Sequence, residues 1–482
     1  MGYIQIDVQL FVDSGHKWGT KEMSNKYMWI AAGIAVVATG CAGPRVSTMP
    51  TPRALGSDMP SFHTEQDGTE GGETDNALAP QQALTLYDAV ALALLSNPNL
   101  AAYSYEERAA DARIRQARVL PNPEIEVEVE EFDRGGEGFD SAETAISLWQ
   151  MIELGGKRRW RTRVAQAEGK LAGWDYEEKR LEVFAEATTR FFAVMAAQRR
   201  LELGGSVVEL AEKTAHAVGE RVKAGKEPPL QASKASVELE LARLDRQEAE
   251  TTLAVARSKL SAMWGADGPH FETAAGDLNG ISASLPTIDL LKSRLPSNPK
   301  LARRDAELNR AESVLSLEKA SRMPDLEVRV GMRRFEEDGT DALAIGVGFP
   351  LPVFDRNQGN IAAATHELAK ARSEMSAVQA SLAIELLEAY AELTTAHKRA
   401  LALREKVVPA MDETFRAAHA GYTQGKFGFL DMLDAQRGLF EATGELVEAL
   451  LAYHITLTEI QRITGTSIEE LELMDSKPKE MR

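Results

Sequence analysis

Acidic side chains at regular spacing are the residues of this 482-residue chain whose types and positions invite chemistry. In the stretch PEIEVEVEEF, Glu124, Glu126, Glu128 and Glu130 alternate with Ile125, Val127 and Val129, so an extended backbone puts carboxylates on one side and aliphatic residues on the other. Asp431 and Asp434 stand three apart just after a glycine turn and share a face of the helix that follows. Carboxylates in rows or rings attract cations, repel anions and hold hydrated ions at a constriction. Plain solvation of a polar face accounts equally for the glutamates, and the dipole of a helix N-terminus welcomes the aspartates. Enzyme chemistry finds no arrangement to use. The eight histidines are scattered without a His-Glu-x-x-His pair, and the single cysteine, Cys41, has no Cys-x-x-Cys companion. GERVKAGKE has the wrong glycine spacing for a phosphate loop and Glu227 where Ser or Thr should bind magnesium. No catalytic residue, cofactor or metal site is expected.

Strands must position the glutamates. The apolar side of 124–130 is repeated by Leu326, Val328 and Val330, opposed by Glu327, Arg329 and Gly331. Partner strands follow in each case: Ile146 and Leu148 oppose Ala145 and Ser147, with Trp149 read as an interfacial ring, while Leu343, Ile345, Val347 and Phe349 oppose Ala344, Gly346 and Gly348. Alternation over about ten residues marks strands that face lipid on one side and water on the other. A hairpin packed on the helices of a soluble domain gives the same pattern. If the strands enter a bilayer, four per chain leave open edges, so several protomers must pool them into a closed ring.

Composition agrees with long helices rather than a large sheet. Aromatic residues make up 6% of the chain and alanine is abundant. The formal charge of -18 excludes a nucleic-acid partner and makes cations the natural guests. Residues 1–22 read as a mistaken start and are set aside. Residues 23–40 form an export signal, with Lys26 ahead of an apolar run too short to span a bilayer, and its end, Ala38-Thr39-Gly40-Cys41, resembles a bacterial lipoprotein box that would be lipidated at Cys41. Residues 41–82 are a Pro-, Gly-, Ser- and acid-rich tether that cannot order itself.

The remainder is one unit written twice. SNPNL at 96–100 matches SNPKL at 297–301, and the offset of about 200 persists through Pro123 and Pro324, Gly225 and Gly425, and Gly265 and Gly465. The first repeat covers 83–281, with strands at about 123–132 and 143–152. The second covers 282–475, with strands at about 324–334 and 341–351, and 476–482 is a tail. Each repeat opens with a helix, which Thr85 and Asp88 cap in the first, then has two strands, then a helix that nothing interrupts from about Lys157 to Ala224. At 1.5 Å per residue that helix reaches roughly 100 Å. Gly225 and Gly425 reverse the chain. Pro350 and Pro352, like Gly155 and Gly156, end the strand pair.

With these residues in view, the chain resembles the TolC-like outer membrane efflux proteins over about 83–470. LTLYDAVALALLSNPNL, PLPVFDRNQGNIAAA and AGYTQGKFGFLDMLDAQRGLFEA carry the likeness, and IELGGKRRWR with FDRNQGNI is most similar to the cobalt-zinc-cadmium type. The resemblance implies a mainly α protomer with a membrane β-barrel: long helices plus four strands, assembled as a homotrimer with a 12-stranded barrel continued by a periplasmic α-helical barrel. It implies a passive conduit in the outer membrane, a periplasmic adaptor, and an inner-membrane pump of the resistance-nodulation-division class. It places Asp431 and Asp434 at the periplasmic gate, Gly225, Tyr422 and Gly425 at the tips where the adaptor docks, and Glu124, Glu126, Glu128 and Glu130 along the pore. Divalent heavy-metal cations are the expected cargo, with multidrug export or type I secretion as alternatives. A lipidated periplasmic adaptor and a soluble coiled-coil scaffold are the rivals. An adaptor would not duplicate a strand pair with its hairpin, and a scaffold would need no amphipathic strands.

Overall fold

The computed structural model describes residues 3–10, 83–130 and 142–466. The export segment, Cys41, the 41–82 tether and the 476–482 tail lie outside the described residues. In chain order the elements are β1 Tyr3–Leu10, β2 Ala83–Thr85, α1 Leu86–Ser96, α2 Pro98–Ala117, β3 Glu124–Glu130, β4 Glu143–Ile152, α3 Lys157–Lys223, α4 Pro229–Ser261, β5 Thr273–Ala275, α5 Ile288–Arg294, α6 Pro299–Ser321, β6 Leu326–Phe335, β7 Thr340–Pro350, α7 Gln358–Ala402, α8 Val408–Thr423 and α9 Phe429–Thr464. The four strands expected from alternation appear as β3, β4, β6 and β7. The uninterrupted helix appears as α3, with 67 residues. Among the described residues no helix is long and apolar enough to cross a membrane.

The chain divides into two compact units. One contains 108–171 and 305–373 and is built on an antiparallel sheet of order β1-β7-β6-β4-β3. Ile125 lies opposite Leu148, Leu148 opposite Val330 and Val330 opposite Ile345, so the aliphatic positions of β3, β4, β6 and β7 fall on one side. The edge strand β1 runs antiparallel to β7, with Tyr3 opposite Pro350 and Leu10 opposite Leu343. This strand lies within residues 1–22, ahead of the export signal, and an open ladder is a template for any extended segment. At the strand-to-helix junctions the backbone turns left-handed, at Gly155 and Gly156 in the first repeat and at Asn357 in the second. A side chain on Gly155 would press on the Ala320 carbonyl, which explains glycine there. Asn357 holds the same kind of turn by donating from its amide to the Glu318 carbonyl at 2.8 Å.

The second unit contains 83–107, 172–304 and 374–466. The repeated SNPxL motif is a clamp. Asn97 donates to the Met263 carbonyl at 2.7 Å and accepts from the Leu100 amide, while its copy Asn298 donates to the Ile463 carbonyl at 2.6 Å and accepts from the Lys300 amide. Each asparagine thus closes the end of the returning helix of its own repeat while capping the helix that follows itself. Thr85 and Asp88 form the expected capping box. Before α8 the helix widens into a π turn over Leu403–Val407, where Pro409 has no amide to offer the ladder.

A strap that ends the first repeat and enters the second, with β5 paired in parallel to β2, crosses the helices. Side chains grip its backbone: Gln198 exchanges two hydrogen bonds with Ala274, Tyr453 Oη accepts from the Ser282 amide, and Arg404 donates to Asn279. Two buried histidines join in, His454 Nε2 donating to the Leu278 carbonyl at 3.0 Å and His397 Nε2 to the Ser282 carbonyl at 2.9 Å. The His454 ring stacks on Phe192 with centroids 3.9 Å apart. Burial holds the His454 imidazole below its ordinary value, against the weaker opposing pull of the Leu278 hydrogen bond and Asp277. An unfolded chain therefore takes up the proton first. The neutral ring's stabilisation is fully present above about pH 6.5 and is lost as the pH falls through the folded-state value. His454→Gln, which can keep the bond to Leu278 but does not titrate, is expected to flatten the fall in thermal midpoint between pH 7 and pH 5; equal slopes for both proteins would contradict this.

Candidate functional site: a two-faced sheet and a glycine tip

Exposure decides what the strand alternation is for. Ile125 is 75% exposed and Val127 63%, and Val129, Ile146, Leu148, Val330, Met332, Leu343, Ile345 and Val347 on the same side are exposed as well. A hairpin resting on its own helices would bury this side. Instead β3, β4, β6 and β7 present a continuous aliphatic surface, an arrangement soluble monomers avoid.

The opposite side is polar and carries the four glutamates, but they are not alike. Glu126 pairs with Arg329 at 3.4 Å and accepts from the Trp149 indole at 3.1 Å. Glu130 pairs with Arg333 at 3.3 Å, and Arg333 also holds Glu143 at 2.8 Å. Glu124 and Glu128 have no ion pair among the described residues. Trp149 is not the interfacial ring expected of it. Its register opposite Glu124 and Arg329 puts it on the polar side, where the Arg329 guanidinium sits 3.9 Å from the ring centroid. Between the two arginines, Gly331 lies so close to β4 that a Cβ would come within 2.8 Å of the Ile146 carbonyl.

In the other unit the glycine turns are duplicated to the hydrogen bond. Lys226 N–H bonds to the Arg221 carbonyl and Gly225 N–H to Val222; Lys426 N–H bonds to Gly421 and Gly425 N–H to Tyr422, all at 2.8 to 2.9 Å. Both glycines are left-handed, at φ 70° and 73°. This is the Schellman end of a helix, which satisfies its last carbonyls. Tyr422 is buried against Phe429, Met432 and Leu433, with the Arg221 guanidinium 4.9 Å from its ring centroid. The ring of Phe427 occupies the space a side chain on Gly421 would need. Asp431 accepts from the Gly428 amide at 2.9 Å and so caps α9. Asp434 is exposed, with no ion pair among the described residues. Gln231 and Lys234 stand at the equivalent positions of the first repeat, so the halves differ in charge there.

The model of a family described as outer membrane efflux protein matches residues 89–266 and 290–466, the two repeats in turn. The chain belongs to the outer membrane efflux protein family. Its members are transport channels rather than enzymes. The chain is 37% identical over 423 residues to the cobalt-zinc-cadmium resistance protein CzcC of Cupriavidus metallidurans, covering 86% of this chain and 99% of that protein. Its fold is shared with the CusC channel, at TM-score 0.67 and 16% identity over 89% of this chain and 100% of that one. The Campylobacter jejuni CmeC outer membrane channel is similar at TM-score 0.63 and 18% identity, over 79% and 85%. Sequence reasoning about this efflux protein missed Arg221 and the role of Arg333; the equivalence of Glu126 and Glu327 across the repeat could have directed attention to the arginines beside Glu327.

The Tyr422 hydroxyl is buried with no hydrogen-bond partner among the described residues, so its ring, not its oxygen, holds the tip together. Tyr422→Phe is expected to leave the thermal midpoint in detergent unchanged or raised, because no bond is lost and a buried hydroxyl is removed. Tyr422→Ala should lower stability by about 3 kcal/mol through the void it leaves. A Phe variant as unstable as the Ala variant would contradict this account.

Proposed function

We propose that this outer membrane efflux protein is the passive exit conduit of a tripartite system that carries divalent heavy-metal cations out of the cell. The observation that carries the conduit is the sheet with an exposed aliphatic side and a charged side, which suits lipid outside and water inside. Such a sheet cannot keep open edges in hydrocarbon. Three copies of β3, β4, β6 and β7 make a closed barrel of twelve strands, with β3 of one protomer joining β7 of the next. In the single chain β1 takes the place on β7 that a neighbour's β3 would take, and in the same direction. Because β1 precedes the export signal, cleavage before Cys41 would remove it and free that edge. Lipidation of Cys41 would then anchor the protomer to the outer membrane.

Similarity to a cobalt-zinc-cadmium resistance protein along nearly the whole of that protein supports metal cargo. A periplasmic adaptor would dock at the Gly225 and Gly425 tips beside Tyr422, and a proton-driven pump of the resistance-nodulation-division class would supply the energy. Deleting the gene is expected to lower tolerance to zinc, cobalt or cadmium while leaving tolerance to a dye and a detergent unchanged; sensitivity confined to the organic compounds would sink the metal assignment.

Asp431 and Asp434, repeated three times, would ring the inner mouth and bind multivalent cations there. Since Asp431 also caps α9, the test removes charge while keeping an acceptor. Asp431→Asn with Asp434→Asn should raise single-channel conductance in a planar bilayer and weaken block by multivalent cations. Unaltered block would refute the gate.

A further inference from the structure

The polar side of the sheet is not the acidic stripe its strand sequence suggests. Two arginines of β6 reach past β4 to carboxylates of β3, two strands away, and they do so at alternate glutamates. Arg329 takes Glu126 and covers Trp149; Arg333 takes Glu130 together with Glu143. On the β7 flank both arginines meet only small residues, Gly346 opposite Arg329 and Ala342 opposite Arg333. No charged residue on that side of β7 competes for them, so the guanidinium groups lean toward β3. Both are about three-quarters covered, at 25% and 27% side-chain exposure, and the planar indole fixes the first. Along β3 the result is a repeat of single carboxylate, ion pair, single carboxylate, ion pair, from Glu124 to Glu130.

We propose that Arg329 and Arg333 are the residues that set charge selectivity in this stretch of the conduit, which rests on the reading that the polar side lines it. Same-side residues of a strand are about 6.8 Å apart, so four uncompensated glutamates would form a nearly continuous negative column. Repeated round a ring, that column would hold a divalent cation strongly. Passage requires a site attractive enough to enter and weak enough to leave. By pairing with every second carboxylate of β3, the arginines, Arg333 shared with Glu143, keep the wall cation-preferring through Glu124, Glu128 and Glu327 without making it a trap. The small residues of β7 then leave room for hydrated ions beside the arginine ladder.

The mature chain, beginning at Cys41 and so without β1, reconstituted in planar bilayers under a potassium chloride gradient, provides the test. Arg329→Gln with Arg333→Gln is expected to raise the potassium-to-chloride permeability ratio severalfold and to bring block by added magnesium to about tenfold lower concentration. Arg329→Lys with Arg333→Lys keeps the charge but not the stacking or the forked pairing, and should stay near the native ratio. A purely structural role would make both variants fail alike. Glu126→Gln with Glu130→Gln should shift the ratio the opposite way, toward chloride, which keeps the test available if the arginine variants do not assemble. Channels that form with the native ratio in the glutamine variants of both kinds overturn the inference while leaving the conduit intact. Absence of any conductance from the native chain overturns the conduit, and this inference with it.

Discussion

Backbone amides and carbonyls must find partners wherever water is excluded, and the rest of this protein is organised round that demand. An extended strand turns alternate residues to opposite sides, so β3, β4, β6 and β7 can meet an apolar and an aqueous environment at once. The aliphatic side is exposed over all four strands, and no helix of the chain is available to span a membrane in their place among the described residues. Four strands do not close on themselves. In this sheet β3 is an edge strand, with β4 its only neighbour among the described residues.

The two repeats are identical where backbone geometry sets the requirement and different where side-chain charge does. Asn97 and Asn298 make the same pair of bonds, and Gly225 and Gly425 adopt the same left-handed turn with the same two amide contacts. Carbonyls at a helix end need the same partners in either half. By contrast Asp431 and Asp434 face no acidic counterpart in Gln231 and Lys234, and the glutamate row of β3 becomes a mixture of Glu327, Arg329 and Arg333 in β6. Duplication supplied two copies of one scaffold, and divergence made one copy's arginines the complement of the other's acids. The π turn at Leu403–Val407 with Pro409 likewise belongs to the second repeat alone, where α3 of the first runs on unbroken.

Much of this was legible in the residues themselves. Dyad alternation located all four strands of the barrel reading, the offset of about 200 exposed the duplication, and the glycines marked the reversals, because each of these features depends on neighbours a few positions away in the chain. Efflux family membership was legible too, through motifs at the SNPxL and tip segments. Local patterns did not disclose which side of Trp149 mattered, nor that Tyr3–Leu10 would find the β7 edge. They also left Asp431 with two readings, and the structure adds a bond to the Gly428 amide that serves the helix whatever else the carboxylate does.

By itself the sequence determined the periodicities: which residues alternate, where helices stop, what is written twice. Only the tertiary structure decided which charges meet. Arg329 and Glu126 are separated by some two hundred residues in the chain and by one intervening strand in space, so their pairing depends on strand order and on a register in which a slip of one residue would send every side chain to the other side. Electrostatics acts through distance across the sheet, and that distance exists only after the repeats have folded together.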